Sequence, residues 1–484
     1  MIENTQAQTI SADRKVDWST AGLRAKYTPS KRYNVKEFGA KGDGFSDDSN
    51  AILGLLKKLR KGGGEVYFPK GTYLLKQTLL LPSGTVITGD GSDQTHLLFD
   101  SGSKNLNCIV ASGDKPRVFQ ALKNAPKKGD QVLMLQEVDA DIKVGDYLEL
   151  RQENGSWDKK PRDWARYCVG QIVKVTKLNG KQIHIDRPIR IDYDFNLKPE
   201  LGIMKPAQNV GIQNLSVERF NKPSKGNNFN IQFRYAVNCW VKGVEGKKSA
   251  GSHLIIAFSS NIEVSGCYFH HAFDYSGSGT RGYGVTLISH SGECLIENNI
   301  FSHLRHAMMV KQGANGNVFA YNYSFKPTRK ELISNYSGDI SMHGHYPFAN
   351  LFEGNVVQNI MVDKYWGESG PDNTLFRNRV KLYGIIYSPT AGNGHNVIAN
   401  EVTSKALFMG NLLLPGRNHL AKGNAIGQKS AENISEKSLF YKSYPHFWDN
   451  SIAFPTIGNP ATYNKGEIPA EKRTNEKRWT VFYQ

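Results

Sequence analysis

The stretch NLFEGNVVQNIMVDKYWGESGPDNTLFRN (residues 350–378) contains two segments of one design, NLFEGN at 350 and NTLFRN at 373, whose starts lie 23 residues apart. Each is short, β-rich and closed by Asn. The design extends both ways, through NVGIQN (209), NCWVKG (238), NIEVSG (261), ECLIEN (293) and NVFAYN (317), then HNVIAN (395) and HLAKGN (419). Start-to-start intervals along the series are 29, 23, 32, 24, 33, 23, 22 and 24 residues. The closing residues are Asn214, Gly243, Gly266, Asn298, Asn322, Asn355, Asn378, Asn400 and Asn424. Asn and Gly best tolerate a left-handed backbone, so a turn is expected once per repeat. Stacked Asn amides can also bond to one another along such a ladder.

The second and fourth positions of each block are mostly apolar, as in Val210 and Ile212, Ile262 and Val264, or Cys294 and Ile296. Period two marks a strand with one face toward a core. The third position is often apolar as well (Trp240, Phe319, Phe352), which calls for a cover over the outer face. One strand and one turn per repeat of about 23 residues, without helical periodicity, describes a parallel β-solenoid rather than an α-solenoid or a leucine-rich repeat.

Ahead of the repeats, YNVKEFGAKGDGFSDDSNAILGLLKKLRKGGGEVYFPKGTY (33–73) reads as a loop, a helix and a strand. Ser46 or Asp47 can cap the helix, Ile52, Leu53, Leu55, Leu56 and Leu59 give it one apolar face, and Gly62 to Gly64 end it. Asp43, Asp47 and Asp48 are read as turn and cap residues. Phe38, Gly39, Ala40, Gly42, Asp43, Gly44, Asp47 and Asp48 resemble the N-terminal signature of the pectate-lyase-like superfamily of right-handed parallel β-helix proteins. That superfamily includes lyases, hydrolases and phage tailspikes. The resemblance implies an all-β right-handed parallel β-helix with an N-terminal capping helix.

Residues 115–200 interrupt this plan with alternating strands and turns such as Asn179-Gly180, the pattern of a small inserted antiparallel β-module. The expected organisation is an N-terminal arm (1–32), a cap with the first β-helix strands (33–114) and the module (115–200). The coils with a catalytic groove (201–430) follow, then an aromatic tail (431–484) that packs along the solenoid or caps its end.

Composition bounds the function. Of 484 residues 39% are hydrophobic, mean hydropathy is −0.47, and no apolar run approaches the roughly 18 residues of a membrane span. The first 15 residues lack the apolar core of an export signal, which fits either a cytoplasmic chain or one that begins after a removed signal. The fold is more often found in secreted proteins, so a secreted or periplasmic location is expected. Cys108, Cys168, Cys239, Cys267 and Cys294 are widely spaced without a CxxC pair, which argues for buried apolar fillers against a disulfide framework or a structural zinc site. The formal charge of +17 favours a polyanionic partner or simply a soluble basic surface. Without a nucleic-acid-binding signature or a basic tail, an acidic polysaccharide is the expected partner rather than nucleic acid.

The intervals of 32 and 33 residues exceed their neighbours, so residues must leave the coil as loops there, within 270–284 and 325–348. Counting back from the ladder starts stacks His306 under Asp339 and His345 under Glu368, with Lys311, His343 and Trp366 on the same strip. Removing a proton beside a uronate carboxylate needs cations, a base and an acid. Arg305 and Lys311 can neutralise, with Arg281 in support; His306, His343 or His345 can abstract; Tyr336 or Tyr346 can donate. Arg281, Tyr283, Tyr346, Lys364, Trp366 and Glu368 are candidate substrate contacts. Asp339 could equally cap a turn, and Trp366 could be a sugar platform or a covering aromatic.

The resulting expectation is a polysaccharide lyase acting by β-elimination on an acidic glycan, with no cofactor. Calcium remains open, because carbonyl ligands leave no trace in a sequence. A glycoside hydrolase or transglycosylase using Asp339 with Asp363 or Glu368 is the alternative. The chain departs from the polygalacturonase pattern, with no Asn-Thr-Asp followed by an Asp-Asp pair and no Arg-Ile-Lys. A non-catalytic, tailspike-like glycan-binding β-helix is the third reading.

Overall fold

The computed structural model describes residues 10–224, 228–277, 279–330, 338–387, 394–402, 407–409, 412–414, 434, 436–458 and 466–484. The last block of the series, with Asn424, lies outside the described residues, as does Tyr336. Gly211–Gln213, Ala236–Lys242, Ser260–Ser265, Leu295–Glu297, Val318–Ala320, Leu351–Glu353, Thr374–Phe376 and Asn396–Ile398 stack in parallel, one strand per repeat. The remaining faces of the coils form a second parallel sheet, whose strands include Tyr283–Ile288, His306–Val310, Ile340–Met342 and Val356–Val362. The protein is a parallel β-helix.

The register explains the apolar third position. Ile212, Val241, Val264, Ile296, Phe319, Phe352, Leu375 and Val397 form one interior column. The column passes through the fourth residue of the first four blocks and the third residue of the next four. Phe319 and Phe352 therefore point inward, with ring centroids 4.8 Å apart, one strand spacing. Their flanking residues Val318, Ala320 and Leu351 point outward, and a second apolar cluster with Trp18, Trp448, Phe454, Ile457 and Ile468 buries them. The cover comes from residues near both ends of the chain, Trp18 on one side and Trp448, Phe454, Ile457 and Ile468 on the other.

The same one-residue slip corrects the Asn series. Asn299, not Asn298, begins the ladder: its amide donates to Asn322 Oδ1, Asn322 to Asn355, Asn355 to Asn378 and Asn378 to Asn400, at 2.9–3.0 Å. Asn214, Gly243, Gly266 and Asn298 do adopt the left-handed conformation, but in the later blocks it belongs to the preceding Tyr321, Gly354, Arg377 and Ala399. A second ladder, Asn317 to Asn350 to Asn373, runs along the block starts at 2.9 Å.

The capping helix is Ser49–Leu59, with Ile52, Leu55, Leu56 and Leu59 buried. Asp47 Oδ1 accepts from Ser49 N, while Ser46 belongs to the turn organised by Asp43. Asp48 Oδ1 and Oδ2 accept from Lys41 N and Gly42 N, tying the Gly-rich loop to the helix start. The insertion is a six-stranded antiparallel sheet running from Gln120–Ala121 to Glu200–Met204. Arg187 and Arg190 of this module make buried ion pairs with Glu293 of the coils, fixing the module against the solenoid. All five cysteines are buried free thiols.

Candidate functional site

Val310, Met342 and Val362 are register partners on three successive coils and point into the core. The next residue of each strand points outward by alternation, and these residues are Lys311, His343 and Asp363. Backbone bonds from His343 N to Val310 O and from Asp363 N to Met342 O, each 3.0 Å, carry the ladder through them. Three chemically active side chains therefore stack at the strand spacing of about 4.8 Å. His343 Nδ1 lies 2.6 Å from Asp363 Oδ2. A carboxylate only accepts, so Nδ1 carries the hydrogen, and in the neutral ring Nε2 is the nitrogen with the lone pair. Both side chains reach solvent, at 18% and 12% exposure.

Lys311 makes no ion pair with a described carboxylate. Burial pushes its ammonium down to about 8, with Asp363 opposing and Arg305 adding to the shift. Arg305 Nη1 donates to Tyr283 Oη at 3.0 Å, on the coil below. Arg305 and His343 both act electrostatically on the neighbouring His306, which places the groups in one field.

Several sequence-derived placements change. His306 stacks under Gly338, not Asp339, because Met308 pairs with Ile340. Its Nδ1 bonds Gly338 O at 3.0 Å, its Nε2 is buried, and burial holds its pKa well below the ordinary histidine value. It supports the strip from beneath as a neutral ring. Asp339 is fully buried at the other end of its strand and accepts from Gln358 N at 2.7 Å. Burial raises its carboxyl to about 6, against the lowering pull of that bond and of Ser324.

His345 does not stack under Glu368. Its ring lies against Trp366 (centroids 5.6 Å apart) and its Nε2 is 3.8 Å from Asp158 of the inserted module. Burial lowers its pKa. Glu368 meets the next coil through its backbone, accepting from Tyr346 N at 3.0 Å, and Tyr346 stacks on Trp157 at 4.5 Å. Arg281 pairs with Asp274 inside its own loop. Lys364 is exposed beside the strip. Counting back assumed equal turns in every coil, and the turns differ.

Sequence reasoning did not find the contribution of the module. Trp164 packs edge-on against both His345 and Trp366, at 5.3 and 5.4 Å, and Lys160 Nζ lies 4.0 Å from the Tyr365 ring centroid. These residues are some 180 to 200 positions from the strip. No local signal announces such a contact. The Asp363–His343 pair did have one: a carboxylate one residue past a strand end, one repeat after a histidine at the same place.

The assembly is a solvent-facing strip of cation, imidazole and carboxylate on a β-helix wall, the kind of surface that can hold a polyanionic chain. Residues 32–126 match the family described as rhamnogalacturonase A/epimerase, pectate lyase-like, so the chain carries a pectate-lyase-like domain that includes the signature from Phe38 to Asp48. The chain is similar to the preneck appendage protein of Bacillus phage PZA, with 41% identity over 436 residues, 83% of this chain and 46% of that protein. It is also similar to alginate lyase 7 of Azotobacter vinelandii, 39% identical over 94 residues, 17% of this chain and 11% of that protein. Among solved structures, the tailspike protein gp49 of Pseudomonas phage LKA1 superposes with a TM-score of 0.60 at 13% identity, covering 76% of this chain and 64% of that one. This likeness is one of fold. The chain spans less than half the length of either curated relative. No described helix is long and apolar enough to cross a membrane.

Proposed function

We propose that the chain cleaves an acidic polysaccharide by β-elimination at the strip formed by Arg305, Lys311, His343 and Asp363. The observation that carries this reading is the outward stack of Lys311, His343 and Asp363 with its hydrogen-bonded imidazole. Arg305 and Lys311 neutralise a uronate carboxylate, which acidifies the adjacent C–H. His343 Nε2 takes that proton, while Asp363 fixes the ring and stabilises the imidazolium. The C–H electron pair becomes the new double bond, the C–O bond to the leaving sugar breaks, and the leaving oxygen receives a proton from the Lys311 ammonium. The products are an unsaturated uronate end and a new reducing end. The +17 charge supports an anionic substrate, and the similarity of one segment to an alginate lyase supports the chemistry. Phage appendage and tailspike relatives support action outside the cell.

The paired-carboxylate alternative is weakened by geometry. Asp339 and Asp363 flank the ends of adjacent strands, four residues apart along the strand direction. That is a backbone offset of roughly 13 Å, and the Asp339 carboxylate is fully buried and held by Gln358 N instead of lying on the open strip. Non-catalytic glycan binding is supported by the long similarity to a phage appendage protein. The test is incubation with a panel of acidic and neutral polysaccharides, following ultraviolet absorbance of unsaturated uronates together with reducing ends. Ultraviolet gain on an acidic polymer supports elimination. Reducing ends without it support hydrolysis, and neither signal leaves binding as the role.

A further inference from the structure

Beyond the strip, the inserted module and the coil together build a second wall. Asp363 links the two: Oδ2 takes the His343 bond, and Oδ1 accepts from Tyr365 N at 2.9 Å. The Tyr365 ring lies parallel to His343, with centroids 6.0 Å apart and an angle of 4° between planes. Trp366 sits edge-on to Tyr365 at 4.9 Å, and Trp164 of the module sits edge-on to Trp366. Tyr365 is 57% exposed and Trp164 is 55% exposed, so both rings present much of their surface to solvent while contacts on the wall hold them.

Lys160 over Tyr365 and Arg162 Cζ at 5.8 Å from the Trp366 ring add two cations, and neither pairs with a described carboxylate. A wall that joins exposed aromatic rings to cations with no described carboxylate partner fits one ligand chemistry: an apolar ring face carrying a carboxylate. A neutral sugar would use the rings and leave the cations idle. An inorganic anion would use the cations and leave the rings idle.

We propose that Lys160, Arg162 and Trp164 of the module, with Tyr365 and Trp366 of the coil, form a subsite that binds one uronate residue of the chain lying across the strip. This rests on the reading of the strip as the site of an acidic polysaccharide. The module then sets specificity, and the ion pairs of Arg187 and Arg190 to Glu293 hold it in place to do so.

The experiment is titration calorimetry of the full chain with hexameric oligogalacturonate, hexameric oligomannuronate and maltohexaose. It is run on the wild type, Trp164→Ala, the double variant Lys160→Ala/Arg162→Ala and the exposed control Asn179→Ala, with circular dichroism checking each fold. At least one uronate hexamer is expected to bind, with maltohexaose at least tenfold weaker. Trp164→Ala and the double variant should each weaken uronate binding about tenfold or more, and only the double variant should flatten its salt dependence. Asn179→Ala should keep its affinity. Wild-type affinity in Trp164→Ala or in the double variant overturns the subsite, even where ultraviolet product shows the elimination reading to be right. Trp164-dependent binding without ultraviolet product from any polymer upholds the subsite and sinks elimination. Equal binding of maltohexaose overturns the uronate assignment, and no binding of either uronate hexamer overturns the subsite.

Discussion

His343 Nδ1 and Asp363 Oδ2, on adjacent coils, stand 2.6 Å apart at the open end of the strip. The carboxylate fixes which imidazole nitrogen faces outward, so its removal disturbs the tautomer without emptying the site. Asp363→Asn is expected to lower kcat by about 10²- to 10⁴-fold with a smaller change in KM. The check is initial ultraviolet rates on the polymer that the wild type degrades.

Lys311 sets the alkaline limit. With its pKa pushed down to about 8, the ammonium needed to protonate the leaving oxygen is lost as pH rises through that value. Activity should fall above about pH 8, and Lys311→Arg, which stays charged, should move that limb upward even if its maximum rate is lower. For stability the sign is opposite. The folded chain releases this proton more readily than the unfolded one, so the Lys311 contribution grows between about pH 8 and 10.5. A pH–rate profile of both proteins checks the first claim.

Asp339 is predicted to cost stability at neutral pH. Its carboxyl is raised to about 6 by burial, so the folded state favours the protonated form. That advantage is complete below about 3.8 and disappears as pH rises through 6. Asp339→Asn keeps an acceptor for Gln358 N without the charge. It should stabilise the protein by about 2–3 kcal/mol at pH 7 and by little at pH 3.5, read from urea unfolding at the two values.

Asn355 binds three coils. Its amide donates to Phe319 O at 2.8 Å and to Asn378 Oδ1, and its Oδ1 accepts from the backbone and amide of Asn322. Asn355→Ala leaves several buried groups unpaired and should cost about 3–5 kcal/mol. Thermal unfolding measures it. An exposed control such as Asn179→Ala should change stability by less than about 0.5 kcal/mol.

Protein cations neutralise charge in the proposed reaction. Chelation with EDTA is therefore expected to leave the ultraviolet rate unchanged; a rate lost to EDTA and restored by calcium would show that a metal shares this work.

The period of the repeat, its turns and the capping helix were legible because each rests on local chemistry: alternation, Asn and Gly in turns, a capped apolar face. The slip at ECLIENN was not, since two adjacent asparagines allow two registers and only the partner coil selects Asn299. The strip was half legible for the same reason. Lys311 and His343 are at fixed offsets from regular strands, whereas His306, Asp339 and His345 depend on where the loops leave the coil. The module's tryptophan and cations were invisible, because contacts across some 200 residues follow from docking and not from spacing.

The most direct measurement is the turnover of His343→Ala beside Asp339→Asn on the same acidic polymer. Loss of at least 10³-fold in the first with near wild-type rate in the second is expected if His343 is the base and Asp339 a buried structural carboxyl. Full activity in His343→Ala, or an equal collapse in Asp339→Asn, would contradict the assignment of the reaction to this strip.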